Sequence, residues 1–380
     1  MADRATRVDV LFGLAYPDSR VRRTTQALAA AGYDVRVLAW DRTGAAPRRE
    51  RDGAVRVEHA RVPSRSGRGA SQLAYLARAV WSHLPALRRE RPDVLHAVDL
   101  PMLAAAIVLR PLIGRPRLVY DAFEIYALME AHKYPAWLLS VIRSAERRLP
   151  RRADLVIMPG TARQAYFAER GVASTVVGNW VDAPAEPLDR GSARAALHIG
   201  AEDFVLVYAG GLEASRDIDS LLRHAERAPD DVIVIAGRGE GADGVRRAAE
   251  DSPNVRFIGW TTDPGQLYVA ADAVYYALHP DHPYAAHPAP NNLYAAIAWT
   301  VPLVHRGQGE IGLVAREAEI GAEFADDPSL DRAIDTLRDP ARQRTVRASL
   351  RGLQDRYTAR RAAQALIDAY PLPPRVADRG

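Results

Sequence analysis

The sequence predicts an α/β protein built from two doubly wound domains. Strand and helix patterns alternate along the chain, the alternation pauses once at a proline-rich segment and restarts, and 380 residues exceed what one hydrophobic core ordinarily organises. The pause, DAPAEPLDRGS, sets the expected boundary between residues 1–185 and residues 186–357, and a last helical segment is expected over residues 358–380. In the first half, RVDVLFGLA reads as an apolar strand, SRVRRTTQALAAAG as a helix stopped by Gly32, and YDVRVLAW as the next strand, together a βαβ unit. RVEHARV reads as a further strand and SQLAYLARAVWSHLPALRRER as one long amphipathic helix. PDVLHAVDL is a buried strand with His96 and Asp99 at its carboxyl end. RLVYDAFEI is a strand, followed by helices around Trp137 to Leu149 and by ADLVIMPG and TVVGNWVD. Ligands of open parallel sheets gather at the carboxyl ends of strands, so residues 13–20, 96–100, 121–126 and 179–182 are expected on one rim.

After the linker come FVLVYAGGL, a helix through Leu221, DVIVIAGRGEG, NVRFIGWT, AVYYAL, a helix near Asn291 and VPLVHRG, and two long helical segments close the chain. Hydrophobic residues make up 48% and charged residues 26%, with a mean hydropathy of −0.21, which is globular composition. No apolar run is long enough to span a bilayer, and MADRATRVDVLFG leads into a strand with no signal-peptide pattern, so a cytoplasmic protein is expected. The absence of cysteine excludes disulfides, thiolate nucleophiles and cysteine-based zinc sites. Net charge is +4, and Lys133 is the single lysine among 51 basic residues; the arginines are spread beside acids, a pattern that does not predict nucleic-acid binding.

Two stretches of the second half carry candidate chemistry. In YAGGLEASRDID, Gly210 and Gly211 follow a strand and let the backbone approach a ligand, with Arg216 placed to clamp phosphate oxygens; a plain tight turn explains the glycines equally well. PAPNNLYAAIAW joins rigid prolines, an Asn pair suited to capping a helix, and small residues, and a capped helix start is a ready anion site. AGRGEG lacks the third spaced glycine of a dinucleotide fingerprint. His279, His282 and His287, near Asp281, match no zinc spacing, and hydrogen bonding to substrate is the expected use rather than a metal. GxSxG, HExxH and the P-loop pattern are all missing from the sequence.

In their order, these segments resemble the GT-B glycosyltransferases, and among them the retaining glycosyltransferase family four. DVLHAVDLP is similar to its "D-V-(V/I)-H-x-H-D" strand, RLVYDAFEIY to "Y-D-x-H-E", VYAGGLEASRDID to "Y-x-G-R-L-x-x-x-K-G", and APNNLYAAIAWTVPLV to "P-N-K-L-x-E-A-M-A-x-G-x-P-V". The resemblance implies two Rossmann-like domains facing across a cleft, with acceptor binding in the first and a UDP or GDP sugar donor in the second. It also implies a final helix crossing back to the first domain and no metal requirement. By that resemblance, Arg216 matches the lysine that contacts the diphosphate. Gly259, Trp260 and Thr261 match the base-holding segment. Asn291, Asn292 and Leu293 open the donor helix, and Glu310 sits in a loop close to the donor. His96 and Asp99 become the catalytic candidates, with Arg20, Asp121 and Glu124 toward the acceptor. The departures are concentrated. Gly211 replaces an arginine, His287 and Ala295 replace two glutamates, Val98 and Phe123 replace histidines, and Thr300 replaces a glycine. The expected function is therefore transfer of a sugar from a nucleoside diphosphate sugar to a small-molecule or glycan acceptor, with retention. The alternatives are a catalytically lapsed GT-B partner protein and a GT-B enzyme of altered donor or acceptor chemistry in specialised metabolism.

Overall fold

The structure, a computed structural model, describes residues 4–64, 70–129, 134–183, 188–261 and 263–373. It divides into two compact units, Met1–Gly178 with Arg360–Gly380, and Asn179–Ala359.

Unit one begins with β1 (Arg7–Phe12), α1 (Ser19–Ala30), β2 (Asp34–Asp41), β3 (Arg49–Asp52), β4 (Val55–Arg61), α2 (Ala70–Ser82) and α3 (Leu84–Glu90). It continues through β5 (Val94–Val98), α4 (Asp99–Leu109), β6 (Arg117–Asp121), α5 (Tyr126–Met129), α6 (Ala136–Arg148), β7 (Leu155–Met158), α7 (Thr161–Ala168) and β8 (Thr175–Val176). Among the described residues its sheet runs β3-β4-β2-β1-β5-β6-β7-β8, parallel throughout except for β3 on β4. Strand β3 escapes a sequence reading because RERD has no apolar alternation; it is a charged edge strand. The long helix expected over residues 71–91 is two helices. Pro85 has no N–H, and its ring crowds the carbonyl of Trp81, so α2 ends at Ser82 and α3 restarts with the proline in its first turn. Strand β6 stops at Asp121, where the Phe123 N–H turns back to the Asp121 carbonyl, and does not reach Ile125.

Unit two contains α8 (Arg190–Ala196), β9 (Phe204–Gly211), α9 (Ile218–Arg227), β10 (Asp231–Arg238), α10 (Ala242–Asp251), β11 (Val255–Gly259), α11 (Gly265–Ala270) and β12 (Ala273–Tyr276). It goes on to α12 (Asn291–Trp299), β13 (Leu303–His305), α13 (Gly309–Glu317), β14 (Gly321–Glu323), α14 (Asp327–Arg338) and α15 (Pro340–Gln354). Among the described residues its parallel sheet runs β11-β10-β9-β12-β13-β14. A last helix, α16 (Ala359–Ala369), returns the chain to unit one, where Leu366 and Tyr370 join Val8, Val10, Val37, Val94 and Val119 in one core cluster.

The division falls at Gly178, ahead of the expected residue 185, and hydrogen bonding explains why. The Val177 N–H donates to Met158 in unit one, whereas the Asn179 side-chain amide donates to the Ala289 carbonyl and Trp180 packs edge-on against Tyr357, both in unit two. Residues 179–182, expected on the first rim, are therefore part of the second unit, and linker residues 184–187 lie outside the described ones. Among the described residues no helix is long and apolar enough to cross a membrane.

Candidate functional site

Each sheet reverses its winding at one place, between β1 and β5 in unit one and between β9 and β12 in unit two. The strand ends flanking such a reversal leave a crevice where ligands of open parallel sheets collect. Apart from residues 259–261, the candidate residues fall near these two places, but their side chains are used very differently.

At the first, the ionisable groups satisfy one another. The Arg20 guanidinium forks onto Asp121 (2.8 and 3.1 Å) and donates to the Val177 carbonyl at 2.7 Å, and both members of the pair are buried. Burial pushes the Asp121 carboxyl up, but Arg20 and His96 together outweigh it and hold it below the usual carboxylate range. Arg20, expected toward the acceptor, is thus consumed inside the unit. His96 is fully buried; its Nδ1 lies 3.1 Å from the Tyr370 hydroxyl and its Nε2 3.8 Å from Asp121.

Asp99 is not the end of the strand but the first residue of α4, with φ of +64°, a left-handed conformation that Asp tolerates better than most side chains. Its carboxylate accepts a hydrogen bond from the Glu124 N–H at 3.2 Å. Burial, and then the charges of Glu124 and Asp121, push its carboxyl well above the usual range. Glu124 in turn accepts from Arg163 at 3.1 Å, a buried arginine on α7 that also reaches the Ala122 carbonyl. Deeper still, Glu146 accepts from the Tyr126 N–H at 2.7 Å, and burial pushes its carboxyl up to about 7. Arg163, Glu146 and Tyr370 carry no sequence signal, since each stands in an ordinary helix or terminal pattern.

At the second reversal the polar groups are more open. Strand β9 ends in Gly210 and Gly211, and Arg216 follows in the turn, forming an antiparallel bridge with Leu278 beyond β12. Its guanidinium donates to the Tyr276 hydroxyl, lies 5.2 Å from that ring, and sits 3.4 Å from the Glu213 carboxylate. The neighbouring Asp217 is occupied: it accepts two hydrogen bonds from Arg306 (2.6 and 3.1 Å) and caps α9 through the Ser220 N–H. Gln308 pairs both its amide atoms with the Leu278 backbone, at 2.9 and 3.0 Å, fixing the loop before α13 beside Arg216.

The start of α12 corrects one expectation. The cap is Pro290, with no side-chain capping bond, so the Asn pair does not cap the helix. Asn291 is the first helical residue and is exposed, whereas Asn292 turns inward and donates to the Ala209 carbonyl at 3.0 Å, pinning the helix start to the end of β9. The Leu293 N–H turns back to the Pro290 carbonyl at 3.3 Å, and without a capping side chain the N–H groups of Asn291 and Asn292 and the positive end of the helix dipole are left for an anion. Leu293 is fully buried behind them, and Glu310, largely buried in the first turn of α13, donates its N–H to the Pro288 carbonyl at 2.9 Å. His287 lies in the loop just before Pro288, half-buried.

Gly259, Trp260 and Thr261 lie apart from this group, at the end of edge strand β11. Gly259 has φ of +72°, Trp260 is half exposed with the Arg238 guanidinium 4.2 Å from its ring centre, and the Thr261 hydroxyl donates to the Asp263 carbonyl. The histidine-rich loop is engaged locally: His279 Nδ1 is 3.8 Å from Asp217, and His282 Nδ1 accepts from the Tyr284 N–H. Among the described residues no group of three or more His, Asp or Glu side chains is placed to hold a metal ion.

Residues 17–180 match a family described as a glycosyl transferase 4-like domain. No curated protein matches the chain. Among solved structures, a sucrose-phosphate synthase from Thermosynechococcus elongatus is similar over 94% of this chain and 96% of its own, with a TM-score of 0.78 at 16% identity. HepE of Anabaena, determined with UDP and glucose, is similar over 96% and 98% of the two chains, with a TM-score of 0.72 at 17% identity. WaaG, a glycosyltransferase involved in lipopolysaccharide biosynthesis, covers 94% and 99%, with a TM-score of 0.67 at 16% identity. The two parallel-sheet units have the fold these proteins share.

Proposed function

We propose that this chain, a GT-B glycosyltransferase with a glycosyl transferase 4-like domain over residues 17–180, moves a sugar from a nucleoside diphosphate sugar bound in unit two to an acceptor hydroxyl handled by unit one. The observation that carries the reading is the unit-two reversal point, where Arg216 follows the end of β9 and bridges Leu278 beyond β12, and Asn292 pins the uncapped start of α12 to Ala209 of the same β9. Breaking the sugar–phosphate bond leaves a diphosphate dianion or trianion. A fixed guanidinium and oriented helix N–H groups stabilise that charge as it develops, with little reorganisation. Gly210 and Gly211 give the phosphates access to the backbone, Asn291 contributes an exposed amide at the helix start, and Asn292 and Leu293 hold that start in place. His287 and Glu310 lie toward the transferred sugar. Trp260, displayed by left-handed Gly259, faces the base together with Thr261. In this reading Arg216 and α12 serve the leaving group, and no metal is invoked.

On the acceptor side, Asp99 is the group we assign to orienting the hydroxyl, with Glu124 beside it. Arg20, Asp121 and His96 hold this corner together from within. Retention of configuration is part of the proposal and rests on the family resemblance. The test is a thermal-shift series of the full chain with UDP, GDP and their sugars, since a ligand bound only by the native state raises apparent stability by mass action. A shift with one diphosphate that is lost in Arg216→Ala is the expected result. No shift with any nucleotide overturns the reading.

A catalytically lapsed partner protein is the second reading, and the side chains at two positions favour it: Ala295, buried in α12, and Gly211 stand where the family has a glutamate and an arginine. Donor hydrolysis or transfer by the purified protein separates the two. Nucleotide binding without any turnover, restored only by a partner enzyme, selects the second.

A further inference from the structure

We propose that Glu213 is a resident counter-ion of the phosphate subsite: its carboxylate sits against Arg216 until a diphosphate displaces it, and it returns as the diphosphate leaves. The inference rests on the donor-site reading above and deepens it by naming the residue that sets how tightly the site holds its nucleoside diphosphate product.

Three observations support it. A Cβ placed on Gly211 would lie 2.1 and 2.4 Å from the two Glu213 carboxylate oxygens, so the bare α-carbon of Gly211 is the seat on which that carboxylate rests. Gly211 is not in the left-handed region, so clearance is what the glycine supplies there, not backbone freedom. Second, Glu213 and Arg216 are held in one turn by the Arg216 N–H donating to the Glu213 carbonyl at 2.9 Å, which keeps the two side chains within reach of one another. The side-chain contact itself is loose, at 3.4 Å with Glu213 54% exposed, so the carboxylate swings away at little cost. Third, Asp217, next in sequence to Arg216, is already committed to Arg306 and to the cap of α9.

The charge balance follows directly. Arg216 with Glu213 seated on it presents almost no net charge, and a diphosphate arriving with two or three negative charges repels the carboxylate into solvent while claiming the guanidinium. On departure the carboxylate reoccupies its seat and competes against rebinding. An exposed pair of this kind is worth about two- to five-fold in an equilibrium constant.

Titration calorimetry at low ionic strength in EDTA tests this, using the full chain with UDP, GDP, uridine and guanosine. Glu213→Gln is expected to bind the preferred diphosphate about two- to five-fold more tightly and the nucleoside unchanged. The gain should shrink at high salt and vanish in the Arg216→Ala background. Unchanged or weaker diphosphate binding by Glu213→Gln overturns the proposal, as does a gain that persists without Arg216 or extends equally to the nucleoside. If neither diphosphate binds wild type or Glu213→Gln, the donor-site reading itself fails and takes this inference with it.

Discussion

The two reversal points have the same place in the same kind of sheet, yet one spends its charges on itself and the other keeps them near the surface. In unit one, Arg20 and Asp121 are both nearly inaccessible and bidentate, His96 is sealed under Tyr370, and Arg163 is buried against Glu124. In unit two, Arg216 holds the Glu213 carboxylate loosely, Asn291 is exposed, and Trp260 is half exposed. The difference teaches that charge near a strand end is not by itself a ligand site. A buried pair of opposite charges costs several kcal/mol of desolvation per ion, so it survives only when geometry and extra hydrogen bonds compensate, as the Val177 carbonyl does for Arg20.

Substitutions sharpen the contrast. The largest effect is expected from Asp121→Ala, which leaves the Arg20 guanidinium buried and uncompensated; urea denaturation should give a loss of about 3–5 kcal/mol. Arg216→Ala should cost less than about 1 kcal/mol of stability while acting on nucleotide affinity. Equal losses would erase the distinction between the two places.

A second effect comes from Glu146, whose carboxyl is raised by burial from the usual 4.5 to about 7. The folded state thus holds this proton more tightly than the unfolded chain. The stability it contributes is complete below pH 4.5 and is lost as pH rises through 7. The full window is worth about 3 kcal/mol. Wild type should weaken between pH 4.5 and 8 relative to Glu146→Gln, and parallel denaturation profiles for the two proteins would refute this.

A gain rather than a loss is expected at Thr300, the left-handed C-cap of α12, with φ of +52° on a β-branched residue. Thr300→Gly removes the clash of Cβ with the backbone and keeps the carbonyl that accepts from Arg347, so a gain of about 1 kcal/mol is expected in the same assay. A loss would mean that the threonine side chain contributes packing that outweighs its backbone strain.

The alternation of strands and helices made the fold class readable, because buried parallel strands such as DVIVIAGR and VLHAV are nearly continuous apolar runs. The candidate site was readable only in part. Glycines, prolines and asparagines mark turns and helix starts in the linear text, which is how residues 210–216 and 290–293 stand out. Which side of a helix an asparagine faces does not show there, so neither the inward turn of Asn292 nor the cap at Pro290 is legible. Glu213, Gln308, Arg163 and Tyr370 act through partners distant in sequence or through a seat made by a missing side chain, and no local pattern encodes either. Arg20 shows the converse: its position near a strand end is legible, but its partner Asp121, a hundred residues away, decides that it is structural.

The return of the chain to unit one has a consequence for how the protein is made. Tyr370 meets His96 and Tyr33, Tyr33 donates to the Leu372 carbonyl, and the Thr6 hydroxyl donates to that of Pro373. On the ribosome, the strands of unit one emerge first but lack Leu366 and Tyr370 until all of Asn179–Ala359 has been synthesised. The second unit, continuous in sequence, is complete at that moment, so the domain translated first is the one whose core closes last.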